Sequence, residues 1–132
     1  MTLVVDSSVV VAAFVYNNNE GVWAEQVLAL DDVVAPHFMP VEVAHALRRL
    51  AHLGRITDDL ATRAHRDMLS APVQLHSYEP FADRVWELRR TVTAYDAWYV
   101  AIAEWLQAPL ATIDRRLTRA SGPRCRFLVP PA

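Results

Sequence analysis

The sequence contains no lysine; all thirteen of its basic residues are arginine. That absence excludes Schiff-base chemistry, pyridoxal-type cofactors and the Walker A lysine. Glycine is almost as scarce. Gly21, Gly54 and Gly122 are the only three, and with no GxGxxG spacing a glycine-rich nucleotide cradle is excluded as well. The single cysteine, Cys125, cannot form an internal disulfide, and it excludes cysteine-based zinc knuckles while leaving His and carboxylate metal sites open. A reducing cytoplasm is the expected setting. The apolar run Val9–Val15 is too short to span a membrane, and no basic region precedes it, so neither a membrane anchor nor a signal peptide is expected.

What remains is enough for a substantial core. The chain has 132 residues, 53% of them hydrophobic and 21% charged, which suits one compact domain covering residues 1–132. Charge is segregated: residues 1–47 carry a net −6, residues 48–83 are neutral, and residues 84–132 carry +4. A basic segment beside an acidic one suits a protein that grips phosphates with arginine and holds cations with carboxylates, although an ordinary solvated surface explains the same pattern.

Hydrophobic patterning predicts short apolar strands at Leu3–Val5, Val33–Ala35, Val73–Leu75, Leu110–Thr112 and Arg126–Val129. Between them it predicts helices over Val9–Val15, Gly21–Leu30, Pro40–Leu53 and about Thr57–Ser70, then over Pro80–Val92, Ala94–Leu106 and Asp114–Ala120. Thr57 is read as an N-cap. The Ala94–Leu106 helix is apolar on nearly all sides and is expected to be buried, with Trp98, Tyr99 and Trp105 as core residues. Alternating strands and helices imply an α/β three-layer sandwich around a parallel sheet of about five strands. In such a fold, function sits at the carboxyl edge of the strands, near the switch point in strand order.

Four acids stand where that edge should be: Asp6, Glu42, Asp96 and Asp114. Each alone is explained by helix capping or a favourable helix dipole. Together they are less easily explained. Asp6 and Asp114 each follow a predicted parallel strand, and Glu42 and Asp96 begin helices that enter from the same edge. A carboxylate beside the apolar Ala97–Ala103 run is unfavourable without a cation or good hydrogen bonds. Clustered carboxylates repel one another, and a divalent metal relieves the repulsion. All-oxygen ligation selects Mg²⁺, with Mn²⁺ as a substitute, over Zn²⁺. Such a site permits phosphodiester hydrolysis by metal-activated water. Arg115 and Arg116 follow Asp114 directly and are the best candidates for binding substrate phosphate.

Four segments carry a resemblance. Leu3-Val4-Val5-Asp6-Ser7-Ser8, Pro40-Val41-Glu42-Val43, Tyr95-Asp96-Ala97 with Tyr99-Val100-Ala101, and Thr112-Ile113-Asp114-Arg115-Arg116-Leu117 resemble, in order and spacing, the acidic motifs of PIN domains. With the chain length, they resemble the small VapC-type ribonuclease toxins. The resemblance implies a metal-dependent endoribonuclease, usually homodimeric, neutralised by a VapB-type antitoxin. It implies Asp6, Glu42, Asp96 and Asp114 as catalytic metal ligands, with Ser8 and Thr112 as helpers that orient carboxylates or water. The alternative is a non-catalytic PIN-like scaffold that binds RNA or protein. Receiver and haloacid-dehalogenase domains also place Asp after the first strand, but both normally need a lysine. The five histidines read as surface or packing residues. Cys125, between Arg124 and Arg126, is in a setting that favours a thiolate, yet no pattern supports a cysteine nucleophile.

Overall fold

Thr2–Val5 forms strand β1, the centre of a five-stranded sheet in which every pairing is parallel. The computed structural model describes residues 1–30 and 32–132. The other strands are β2 (Asp32–Pro36), β3 (Val73–His76), β4 (Leu110–Ala111) and β5 (Phe127–Leu128), in the order β3-β2-β1-β4-β5. The chain thus steps from β1 outward through β2 to β3, then returns to the far side of β1 for β4 and β5. The direction reverses between β1 and β4, and this is the switch point. Strand β1 is apolar because it is covered on both faces: Leu3, Val4 and Val5 are wholly buried.

Among the described residues seven α-helices flank the sheet: α1 (Ser7–Val15), α2 (Asn19–Leu28), α3 (Met39–His52), α4 (Asp58–Ser70), α5 (Ala82–Glu87), α6 (Ala94–Leu106) and α7 (Arg115–Thr118). Right-handed crossovers put the connections running toward β3 on one face and those running back toward β5 on the other. Accordingly α1 packs with α2, α3 and α4, while α6 packs with α5 and lies against β1, β2 and β4. The three-layer expectation holds.

Local chemistry sets the helix boundaries. Asn18 and Thr57 cap α2 and α4 by accepting from the Gly21 and Leu60 amides, at 2.9 and 3.1 Å. Gln107, left-handed at φ 52°, ends α6. The helix expected over Pro80–Val92 is shorter than its apolar spacing implied. A 3₁₀ turn at Glu79–Phe81 leads into α5, which ends at Glu87. Beyond it, turns bury Leu88 and Val92, and the Thr91 hydroxyl donates to the Ser121 carbonyl at 2.6 Å. Trp105 also departs from expectation. It is 67% exposed, on the side of α6 that faces edge strand β3, where it meets the His76 and Phe81 rings edge-on. Trp98 is half-buried against Tyr78.

Helix α2 crosses the end of α1 at Gly21. A Cβ there would overlap the carbonyl oxygen of Tyr16, which is fixed backbone. Gly21→Ala is therefore expected to destabilise the fold by about 1–3 kcal/mol, the usual range for overpacking. Chemical denaturation of the two proteins checks this.

Candidate active site at the carboxyl edge of the sheet

Asp6 emerges from the end of β1 at the switch point, its amide donating to the Ala111 carbonyl of β4 at 3.0 Å. It occupies the N-cap position of α1, but its side chain makes no capping hydrogen bond. The carboxylate is buried, 5% exposed, and is held by hydroxyls. Thr112 donates to Oδ2 at 2.7 Å, Ser8 to Oδ2 at 3.2 Å and Ser7 to Oδ1 at 3.3 Å. The same groups tie the loops after β1 and β4 together. Ser8 Oγ accepts from the Ile113 amide at 3.2 Å, and Thr112 Oγ1 accepts from the Asp114 amide at 3.0 Å.

Glu42 lies in the first turn of α3, where its Oε1 accepts from the Tyr99 hydroxyl of α6 at 2.6 Å. Asp96 lies in the first turn of α6 but does not cap it. Thr93 does, accepting from the Asp96 amide at 3.2 Å. Asp114 differs from the other three acids because it does cap its helix. It accepts from the Arg116 amide at 2.9 Å.

Burial pushes the Asp6 carboxyl above the usual carboxylate range, against the lowering effect of its hydroxyl donors. Burial and the neighbouring charges of Asp6 and Asp96 carry Glu42 up to about 7, despite the Tyr99 hydrogen bond. Burial and the charges of Asp6 and Asp114 carry Asp96 up to about 6. Asp6, Glu42 and Asp96 thus form a mutually repelling trio, and Asp114 adjoins Asp96. Among the described residues no group of three or more His, Cys, Asp or Glu side chains is gathered closely enough to hold a metal ion as it stands.

The donor set nonetheless fits a hard divalent cation. It offers carboxylate oxygens, partly desolvated and raised by their own repulsion, with hydroxyls fixing the orientation of Asp6. It offers no thiolate. A positive side chain at this edge is that of Arg116, whose charge acts on Asp96. Its Nε lies 3.8 Å from Asp114, and the side chain is 90% exposed.

Ser8 and Thr112 are where the sequence places them, on Asp6. Arg116 borders a cavity of ≈ 270 Å³ together with Asp96 and Asp114. Arg115 turns the other way and donates to the Pro130 carbonyl at 3.1 Å. Two groups were missed. Ser7 figures in the sequence only as part of the first motif, and Tyr99 reads as core, although its place three residues after Asp96 puts both on one helix face. Cys125 corrects an expectation: burial, with the charge of Glu104, pushes its thiol up to about 11 and disfavours the thiolate.

Comparison with known proteins gives a consistent picture. Residues 3–123 match the family model described as PIN domain. A VapC ribonuclease of Mycobacterium bovis is 36% identical over 129 residues, 98% of each chain. Ribonuclease VapC1 of Mycobacterium tuberculosis is 38% identical over 128 residues, 94% of each chain. In fold, the chain is similar to the crystal structure of VapBC2 from Rickettsia felis bound to a promoter DNA fragment. The TM-score there is 0.69 at 11% identity, over 99% of this chain and 100% of that one.

Thr112→Val keeps the side-chain shape but removes a hydroxyl that both donates to Asp6 and accepts from the Asp114 amide. Leaving buried polar groups unpaired should cost about 1–3 kcal/mol, read by denaturant melts. A second expectation concerns pH in chelator. With Glu42 at about 7 and Asp96 at about 6, against ordinary values of 4.5 and 3.8, the folded protein holds protons that the unfolded chain has released. Stability should therefore fall as pH rises from about 4 to about 7. Thermal melts across that window should show the fall, and Glu42→Gln should flatten it.

Proposed function

The chain belongs to the PIN-domain family, in its VapC ribonuclease group, and we propose that it is a divalent-metal-dependent endoribonuclease, the toxin of a VapBC-type toxin–antitoxin pair. Asp6, Glu42 and Asp96 are its metal-binding carboxylates, with Asp114 as the fourth acid beside them. One observation carries this reading. Asp6 stands at a helix N-cap position without making the capping hydrogen bond, its carboxylate instead oriented chiefly by three hydroxyls beside two further acids. A capping residue would do the reverse, as Asp114 does.

When bound, Mg²⁺ or Mn²⁺ supplies positive charge that activates water and offsets charge developing on the phosphate. The protein's own residues supply the rest. Thr112, Ser8 and Ser7 hold Asp6 in one orientation, and Tyr99 does the same for Glu42. Such fixed orientation lets carboxylates meet a cation without reorganising. Arg116, extended into solvent at the margin of the site, is placed to meet a substrate phosphate. Arg115, bonded to the C-terminal backbone, is not.

The partner this reading implies is a VapB-type antitoxin. The apolar stripes of α3 and α4 offer it no groove between them, because Val43, Leu47, Ala64 and Met68 are buried in the core. The open surface lies between α1 and the second half of α3. It is a cavity of ≈ 410 Å³ whose wall includes Val11, Leu50, Leu53 and Ile113, and it reaches Ser7 and Ser8. An amphipathic segment laid there would end beside Asp6. Homodimerisation and a cytoplasmic location belong to the same proposal. No helix among the described residues is long and apolar enough to cross a membrane.

The test is cleavage of cellular RNA by antitoxin-free protein, with Mg²⁺ or with EDTA. Asp6→Asn and Asp96→Asn should each remove cleavage and leave the circular dichroism spectrum unchanged. Mn²⁺ at 100 times its dissociation constant should stabilise the wild type by about 2.7 kcal/mol, and Asp96→Asn should lose most of that gain. Full cleavage by a folded Asp96→Asn protein would refute the assignment.

A further inference from the structure

Ser7 and Glu42 each border two places. One is the carboxylate site. The other is a cavity of ≈ 450 Å³ whose wall comprises Ser7, Glu42, Phe38, Val41, His45 and Tyr95. Phe38 immediately precedes α3, and Tyr95 is the second residue of α6. The two helices that deliver Glu42 and Asp96 therefore also deliver a pair of aromatic rings. Their centroids are 5.1 Å apart and their planes are tilted by 30°. The pair is not spent on the core: Phe38 is 36% exposed, Tyr95 55% and Val41 56%.

We propose that this wall is a nucleobase platform, on which a base flanking the scissile phosphate stacks against the Tyr95–Phe38 pair. The proposal rests on the ribonuclease reading and adds to it the residues that seat the substrate. Three features favour a base as the occupant. The cavity shares Ser7 and Glu42 with the carboxylate site, so whatever fills it lies within one nucleotide's reach of Asp6 and Asp96. Its wall has no arginine, and its acid repels phosphate, so it does not hold the RNA backbone by charge. Flat exposed rings bind instead through a face that every base possesses. Stacking on protein also requires a base not already stacked in a duplex, which makes the substrate class single-stranded or looped RNA. His45 places a hydrogen-bonding ring on the same wall, where a base edge can meet it.

The test uses a single-stranded RNA oligonucleotide that contains the cleavage site. Each flanking position is replaced in turn by 2-aminopurine, which is quenched on stacking, or by an abasic nucleotide. In the wild type, 2-aminopurine at one flanking position should be quenched on binding. Tyr95→Ala should abolish the quench and raise KM about tenfold, within the range for losing one stacked base, with kcat and melting temperature unchanged. Tyr95→Trp should restore both. An abasic nucleotide at that position should weaken the wild type by the same factor and leave Tyr95→Ala no weaker. Independent, additive effects of the two changes would overturn the platform. So would an unchanged KM in a Tyr95→Ala protein that has lost its dimer on size exclusion or its capture by antitoxin, since the rings would then serve a protein contact. A wild type that binds and quenches the probe but does not cut it, with Mg²⁺ or Mn²⁺, would refute the ribonuclease reading and leave the platform standing.

Discussion

The Asp6 carboxylate is buried where β1 meets the switch point, and a buried carboxylate must be either satisfied or neutralised. Much of the local structure answers to that constraint. Ser7 and Ser8 open α1 so that their hydroxyls turn back on Asp6, and Thr112 reaches it from just beyond β4, more than a hundred residues away in sequence. Because Thr112 and Ser8 also receive the Asp114 and Ile113 amides, the loops after β1 and β4 form one rigid unit. The hydroxyls orient the charge without cancelling it, so the carboxyl stays above its ordinary range.

Another acid in the same protein shows what a purely structural carboxylate looks like. Glu104 accepts from Arg84 Nε at 2.7 Å and from the Arg124 amide at 2.7 Å, and Arg84 also reaches the Gly122 carbonyl. Burial raises Glu104, but the Arg84 hydrogen bond and charge outweigh it, and the net shift is downward. That network pins the segment leading to β5 against α5 and α6. At the carboxyl edge the balance is opposite. Three acids are raised, and the side chain of Arg116, beside Asp114, is largely exposed to solvent. The first turns of α3 and α6 favour the charges of Glu42 and Asp96, but this dipole effect is small beside desolvation and mutual repulsion. Stability is given up here to hold three raised carboxyls close together.

The placement of rings beside acids follows from the same geometry. In a parallel α/β fold a helix that runs antiparallel to the strands has its N-terminus at their carboxyl edge. Residues at helix starts therefore gather there whatever their chemistry. Phe38 and Tyr95 come to the edge for the same topological reason as Glu42 and Asp96.

Sequence alone determined the strand positions and the parallel sheet, because short apolar runs alternating with helical patterns carry the signal locally. It also determined the family, through four motifs in order. It overran at Pro80–Val92, where buried side chains at helical spacing are reached by turns, and at Trp105, where an apolar residue on a mostly buried helix faces outward. Tertiary structure alone decided what each acid touches. An acid at a helix start suits capping wherever it stands, so no local pattern separates Asp6 from Asp114. The difference lies in which way the carboxylate turns. Thr112, 106 residues distant, holds Asp6, as Tyr99, 57 residues distant, holds Glu42, while Asp114 turns to the Arg116 amide of its own helix.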